Sequence, residues 1–106
     1  MTTHLKQNWS DKSTTALSEE AIHAQYTPAE NFKFYTNAYE SGQQFAIKAG
    51  HEFTLYVLSG ACKSSIEGKE LRLSAAEFVV MNAGSYAFEA LGTDALHIVK
   101  VFTRAS

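Results

Sequence analysis

The sequence predicts an all-β fold, a barrel or sandwich of short antiparallel strands. From residue 31 onward the chain divides into eight apolar or alternating runs of five to nine residues. Each run ends at a turn signal, and the glycines after residue 41 fall at or near these turns, where a positive φ costs glycine little. Short strands at even spacing with tight turns are typical of antiparallel β domains.

Composition limits the kinds of protein that this chain can be. Its 106 residues, 45% of them hydrophobic and 19% charged, suffice for one globular core. The net charge of -2 offers no basic surface, so we expect no nucleic-acid partner. No apolar run reaches the roughly 20 residues that span a bilayer, and the polar N-terminus has no signal core. We therefore expect a soluble, cytoplasmic protein. Its one cysteine, Cys62, can form no internal disulfide, which fits a reducing compartment.

The first 30 residues are predicted to form a polar N-terminal arm, and residues 31–106 the barrel. Ser18, followed by Glu19 and Glu20, is a good helix start, so the arm can hold a short helix that ends near Gln25. Trp9, the one tryptophan of the chain, lies in the polar stretch at the start of this arm. It is expected to pack either on its own domain or on a second subunit.

The eight predicted strands, in chain order, are FKFYTNAY, QQFAIK, FTLYVL, ACKSSIE, KELRL, EFVVM, SYAFEAL and DALHIVKVF. Both faces of FTLYVL are apolar, so a second sheet or a partner subunit should cover each side. In the last strand we expect Lys100 to face solvent. His97 lies on the opposite face by alternation, and we expect it to point inward.

The turns in the second half of the chain resemble those of a small single-domain cupin with a degenerate metal motif. This likeness extends from about residue 41 to residue 102. It rests on the placement of four turns, which are Val57-Leu58-Ser59-Gly60, Glu67-Gly68-Lys69-Glu70, Ala75-Ala76-Glu77 and Asn82-Ala83-Gly84. The resemblance implies a cupin-like double-stranded β-helix, or jelly-roll barrel. It also implies a homodimer that pairs through its N-terminal strands, for which the aromatic run 32–39 and Trp9 are suited.

The metal ligands of that family are missing from this chain. Counting back from Gly60 puts the family's glutamate at Phe53 and its paired histidines at Ile47 and Ala49, or with the longer spacing at Ala46 and Lys48. Counting forward from Gly84 puts its last histidine at Ala87. Aliphatic and aromatic side chains offer a metal ion no lone pair, so we expect no metal and no other cofactor.

Other polar residues could in principle form a rearranged site. His51, Glu52 and His97 are the main candidates, although nothing in their spacing makes three ligands converge. His51 and Glu52 are better explained as polar residues at the barrel rim.

The residues that replace the ligands make the predicted lumen apolar. A tentative ligand pocket would be lined by Phe45, Ile47, Phe53, Tyr86, Phe88 and His97. Phe53 either lines an open pocket or plugs the barrel with its own ring.

Two classes of function remain open from the sequence. The first is a non-catalytic protein that binds a small apolar or aromatic molecule, or acts through protein contacts. The second is a metal-free isomerase or lyase acting on a small, sugar-like substrate, with His97 as the acid or base because histidine titrates near neutrality.

Overall fold

A computed structural model describes residues 7–9, 17–26, 32–66 and 68–103. Its elements, in chain order, are β1 (Gln7–Asn8), α1 (Glu19–Gln25), β2 (Phe32–Tyr39), β3 (Gln44–Ala49), β4 (Phe53–Ser59), β5 (Ala61–Ile66), β6 (Lys69–Ser74), β7 (Glu77–Met81), β8 (Gly84–Leu91) and β9 (Leu96–Thr103). The predicted strands are all present, and two of them, β2 and β7, have the predicted bounds. The short β1 was not predicted. The predicted boundary after residue 30 lies outside the described ranges.

The strands form two antiparallel sheets, which confirms the predicted all-β jelly-roll class. The larger sheet has the order β1-β7-β4-β9-β2, and the smaller has the order β3-β8-β5-β6. Consecutive strands often lie in different sheets, which is the pattern of a jelly roll. Strands β2 and β3 form the edges of the two sheets and are joined by the short turn between residues 39 and 44.

The inner core lies between the two sheets. Every strand from β3 to β9 contributes alternate side chains to it, as the period of two predicts. Its most deeply buried members include Phe53, Leu55, Val57, Cys62, Met81, Leu96 and Ile98, each at most 2% exposed. The prediction that a second sheet covers one face of β4 is therefore confirmed.

An outer cluster covers the other face of the five-stranded sheet. Its buried members are Trp9, Ile22, Tyr56, Phe78, Val99 and Val101. Trp9 is 2% exposed and makes edge contacts with the rings of Tyr56 and Phe78, at centroid distances of 6.0 and 6.5 Å. Of the two surfaces predicted for Trp9, the structure therefore shows its own domain.

Helix α1 also packs on this outer face. Ser18 caps it as predicted, because its Oγ accepts a hydrogen bond from the Ala21 backbone N–H at 3.1 Å. Ile22 is fully buried beneath the helix. The hydroxyls of Tyr26 and Tyr56 lie 2.6 Å apart, so the chain after the helix is bonded to the centre of β4.

Two turns depend on unusual backbone angles. Gly60 has φ +76°, and a Cβ there would lie 2.7 Å from the Ala95 carbonyl oxygen, so no larger residue fits. Ala76 has φ 69°, a left-handed conformation that favours glycine. Backbone hydrogen bonds hold this turn, because Ala76 N–H donates to the Val57 carbonyl and its own carbonyl accepts from Trp9. None of the described helices is long and apolar enough to cross a membrane.

Candidate functional site

The metal-ligand positions that the resemblance implies lie on β3, β4 and β8. Ile47, Ala49 and Phe53 point between the sheets, as predicted. The expectation that Ala87 also points inward is wrong. Ala87 is exposed, and its neighbour Tyr86 pairs with Ile47 across β3 and β8 and packs on the inner core. The inner face of β8 therefore carries tyrosine where the sequence count gave alanine.

The residues at these positions do not fit a resident metal ion. Isoleucine, alanine and phenylalanine donate no lone pair, and the Tyr86 hydroxyl donates a hydrogen bond to the Asn82 carbonyl at 2.7 Å. Within the described ranges, no three side chains of His, Cys, Asp or Glu lie close enough to share one ion.

The alternative candidates for a rearranged site lie far apart. His51 and Glu52 are exposed in the turn before Phe53, whereas His97 pairs with Ser59 at the other end of β4. Ser59 follows Phe53 by six positions along the strand, a length of about 20 Å. These three side chains cannot meet at one ion.

His97 faces away from the barrel interior, so the prediction that it points inward is wrong. Leu96 and Ile98 are fully buried in the inner core, and alternation therefore turns His97 outward. Its side chain is exposed, with Nδ1 2.8 Å from Ser59 Oγ. This contact lies at the end of the β4–β9 pairing, where the register shifts between Val57 and Ser59.

The structure brings together five of the six tentative pocket residues, and His97 is the exception. Phe45, Ile47, Phe53, Tyr86 and Phe88 all belong to the inner core or pack directly against it. Phe53 is 2% exposed and stacks on Phe102 at a centroid distance of 5.0 Å. Of the two roles predicted for Phe53, the geometry favours the plug, because its ring fills the space between the sheets.

One side of the barrel retains a partly exposed, inward-facing rim. It lies where the edge strands β2 and β3 run from their shared turn without pairing with each other. The inward-facing side chains along this rim, which we call the mouth, are Tyr35, Asn37, Ala49, Tyr86, Lys100 and Phe102. Tyr35 is 45% exposed and contacts the Phe102 ring edge to face at 5.6 Å. The mouth is therefore an aromatic surface that solvent reaches.

Lys100 belongs to this mouth, so the prediction that it faces solvent is wrong. It shares the inner face of β9 with Ile98 and Phe102, and its Nζ lies 5.8 Å from the centre of the Tyr35 ring. Burial lowers the pKa of the Lys100 ammonium. Among the described residues Lys100 forms no ion pair.

Asn37 is the second polar residue of the mouth. It lies opposite Ile98 in the register of β2 with β9, and its neighbour on the same face is Tyr35, opposite Lys100. Its Oδ1 is buried and accepts no hydrogen bond. Sequence reasoning missed both Asn37 and Lys100. Only the strand register brings them to one face.

A second concavity lies on the outer face of the four-stranded sheet. This groove has a volume of about 660 Å³. Its outward-facing lining residues are Gln44, Ala46, Lys63, Ser65, Glu70, Ala87 and Glu89, and Ser64 and two of the predicted pocket residues, Phe45 and Phe88, also line it. The pairing of β5 with β8 stops beside this groove after Ser64 and Phe88, and the Ser64 hydroxyl donates a hydrogen bond to the Ala87 carbonyl at 2.6 Å.

The charges around this groove are already paired within the chain. Lys63 Nζ lies 3.9 Å from Glu89 Oε1, and Arg72 hydrogen-bonds Glu70. The charges of the groove therefore need no ligand. The mouth, in contrast, holds a cation that forms no ion pair with a described residue and a buried acceptor that has no donor. We therefore take the mouth as the candidate ligand site.

Comparison with known proteins supports the fold and goes no further. No protein-family model matches the sequence, and no curated protein does either. Among solved structures, the Cupin_2 domain of an XRE-family transcriptional regulator from Enterobacter cloacae is similar, with a TM-score of 0.62 and 16% identity over 72% of this chain and 84% of that one. A cupin superfamily protein from Desulfitobacterium hafniense has a TM-score of 0.59 and 10% identity, over 97% and 79%.

A third similar structure is ToxT from Vibrio cholerae, bound to (E)-4-(8-methylnaphthalen-1-yl)but-3-enoic acid. Its TM-score is 0.60 and its identity 7%, over 70% of this chain and 31% of that chain. Identities this low establish a shared fold only. The chain is a small cupin-like jelly-roll domain.

Proposed function

We propose that this protein is a metal-free, non-catalytic binding protein whose mouth takes a small apolar or aromatic molecule. The observation that carries the proposal is the partly exposed aromatic rim at the open side of the barrel, which surrounds two polar groups without partners. Small-molecule sites commonly combine an apolar, aromatic surface with a few polar groups that fix orientation.

A similar fold that carries small molecules supports the same proposal. ToxT from Vibrio cholerae has been determined with an unsaturated fatty acid and with an aromatic alkenoic acid. Both molecules are apolar with one polar end, which is the chemistry that the mouth offers here. The support is by analogy, since the present chain covers less than a third of ToxT.

The enzymatic alternative is the weaker of the two. A metal-free isomerase or lyase would need His97 beside the bound substrate as acid or base. His97 is exposed on the outer side of β9, on the face opposite the mouth. If the binding proposal is correct, His97→Gln leaves ligand affinity unchanged.

A shift-mapping experiment tests the proposal. Backbone amide shifts of ¹⁵N-labelled protein are recorded while 3-phenylpropanamide, a neutral aromatic probe, is added. We expect the perturbed amides to cluster at Tyr35, Asn37, Ala49 and Lys100. Shifts confined to Ala46 and Ala87 would assign binding to the outer groove instead, and no saturable shifts would reject the proposal.

A matched pair of variants tests the same site. Tyr35→Ala removes an exposed ring of the mouth and should weaken binding of the probe. Val80→Ala is the control, because Val80 is likewise exposed, at 39%, but lies on β7 and away from the mouth. Equal effects of the two substitutions would contradict the proposed location.

We also infer a homodimer and a cytoplasmic location. Strand β2 lies at the edge of the larger sheet among the described strands, so its outer edge can pair with a second copy. Sedimentation of the purified protein tests the dimer, and a single monomeric species would reject it. Cys62 is a buried free thiol, as expected in a reducing compartment, and fractionation of cells that express the protein tests that location.

A further inference from the structure

The mouth holds one cation, Lys100, on the central strand β9 with a neighbouring strand on each side. Lys100 lies between Leu55 of β4 and Tyr35 of β2 in the strand register, and its side chain points toward the interior. The Tyr35 ring faces its ammonium at 5.8 Å. A lysine on the central β9 cannot swing to the outer face of the sheet, because alternation fixes its side.

This cation lacks a counter-charge among the described residues. The ion pairs there are Lys63 with Glu89 and Arg72 with Glu70, both on the other sheet. Lys33 has the same inward phase on β2, opposite Phe102, and it also forms no ion pair. Burial disfavours an unpaired ammonium, and this is the reason for the lowered pKa of Lys100.

An unused acceptor lies beside the cation. Asn37 and Lys100 are diagonal neighbours across β2 and β9, because Asn37 pairs with Ile98 and Tyr35 pairs with Lys100. Diagonal residues on one sheet face are about 7–8 Å apart, within reach of long side chains. The buried Asn37 Oδ1 accepts no hydrogen bond. An unsatisfied buried acceptor lowers the stability of the folded protein unless a bound group supplies a donor.

We infer that the mouth binds an aromatic or apolar hydroxy acid, whose carboxylate pairs with Lys100 and whose hydroxyl donates to Asn37 Oδ1. This inference rests on the proposed function and specifies the chemical class of its ligand. The hydrophobic part of the ligand would lie against Tyr35 and Phe102. One partly buried ammonium in aromatic surroundings matches a monoanion better than a phosphate dianion, which needs several donors.

Three related probes separate the parts of this inference. 3-Phenyllactate has the aromatic ring, the carboxylate and the hydroxyl. 3-Phenylpropionate lacks the hydroxyl, and 3-phenylpropanamide is neutral and lacks it too. We expect the affinity to fall in that order, and the amide should bind about tenfold more weakly than the acids. Binding is measured by titration of the full chain, with amide shifts as the indicator of location.

Variants test each proposed ligand contact at a single residue. Lys100→Gln should weaken both acids about tenfold and leave the amide unchanged, whereas Lys100→Arg should retain most of the preference. Lys48→Gln is the control, because it makes the same charge change on the exposed outer face of β3. Asn37→Leu should abolish only the advantage of phenyllactate over phenylpropionate.

The outcomes distinguish this inference from the proposed function. If all three probes bind the mouth with equal affinity, the site exists but the hydroxy-acid inference is wrong, and Lys100 merely packs against Tyr35. If Lys100→Gln and Lys48→Gln weaken the acids equally, the effect is one of net charge, and the inference is again wrong. If no probe binds at the mouth, both the inference and the proposed site are overturned.

Discussion

The two faces of the five-stranded sheet are both apolar, but they differ in whether their polar groups have partners within the chain. On the outer face the buried Tyr56 hydroxyl lies 2.6 Å from the Tyr26 hydroxyl, so a group brought in by the chain satisfies it. On the inner face the buried Asn37 Oδ1 and the Lys100 ammonium find no such partner. The outer face is therefore completed by its own chain. In the binding proposal made above, a ligand supplies the donor and the negative charge that the inner face lacks.

The largest expected effect on stability comes from removing a side chain of the outer cluster. We expect Trp9→Ala to lower the free energy of unfolding by about 3–5 kcal/mol, because it empties a site that is 98% buried between Tyr56 and Phe78. Chemical denaturation measures the loss. Trp9→Phe is the control and should lose less. A loss below about 1 kcal/mol for Trp9→Ala would show that the N-terminal segment is not part of the fold.

The next test uses a buried acid on each face. Burial raises the pKa of the Cys62 thiol, on the inner side, from 9.0 to about 12. Burial and the Tyr26 hydroxyl also raise the pKa of Tyr56, on the outer side, above its ordinary 10.0. Above pH 9 the unfolded thiol loses its proton while the folded one keeps it, so the unfolded state binds fewer protons and stability falls as pH rises.

We expect this loss to approach about 1.4 kcal/mol per pH unit for each group in its window. The Cys62 contribution is fully present below pH 9 and is lost by about pH 12, while the Tyr56 contribution starts to fall above pH 10. Denaturation curves from pH 8 to pH 11 measure the slope. Cys62→Ala should flatten it between pH 9 and pH 10, and an unchanged slope there would contradict the prediction.

A smaller test breaks the satisfied pair of the outer face. Tyr26→Phe leaves the buried Tyr56 hydroxyl without its partner and should cost about 1–2 kcal/mol. The double variant Tyr26→Phe, Tyr56→Phe removes both polar groups and should be less destabilised than the sum of the single changes. Additive losses in this double-mutant cycle would mean that the two hydroxyls do not interact.

Much of this fold could be predicted because its strands end at strong turn signals. β2 and β7 begin and end where their apolar runs do, and Ser18 caps the helix that it was expected to start. β1 was missed because two residues in a polar segment have no detectable period. The apolar faces of β4 indicated that both would be covered, but only the structure shows that Trp9 and α1 cover one of them.

The candidate site was less predictable, since it depends on which face of a strand points inward. Alternation along β9 correctly places Leu96, Ile98 and Lys100 on one face. It does not show which face points inward, because Val99 and Val101 make the opposite face equally apolar. The charge of Lys100 suggested the wrong choice. For the same reason, the sequence count placed Ala87 on the inner face of β8, where the structure has Tyr86. The proximity of Asn37 to Lys100 depends on the register of two strands nearly 60 residues apart, which no local pattern encodes.

The smallest expected effect is also the sharpest contrast between the faces. We expect Asn37→Leu to leave the unfolding free energy of the ligand-free protein unchanged or to raise it by up to about 1 kcal/mol, because it replaces an unpaired buried oxygen by apolar surface of similar volume. Tyr26→Phe, which also deletes a polar group, should destabilise. Denaturation of the two variants under one condition makes the comparison. A loss above 1 kcal/mol for Asn37→Leu would mean that Asn37 supports the fold, and its unpaired oxygen would then be no evidence for a ligand.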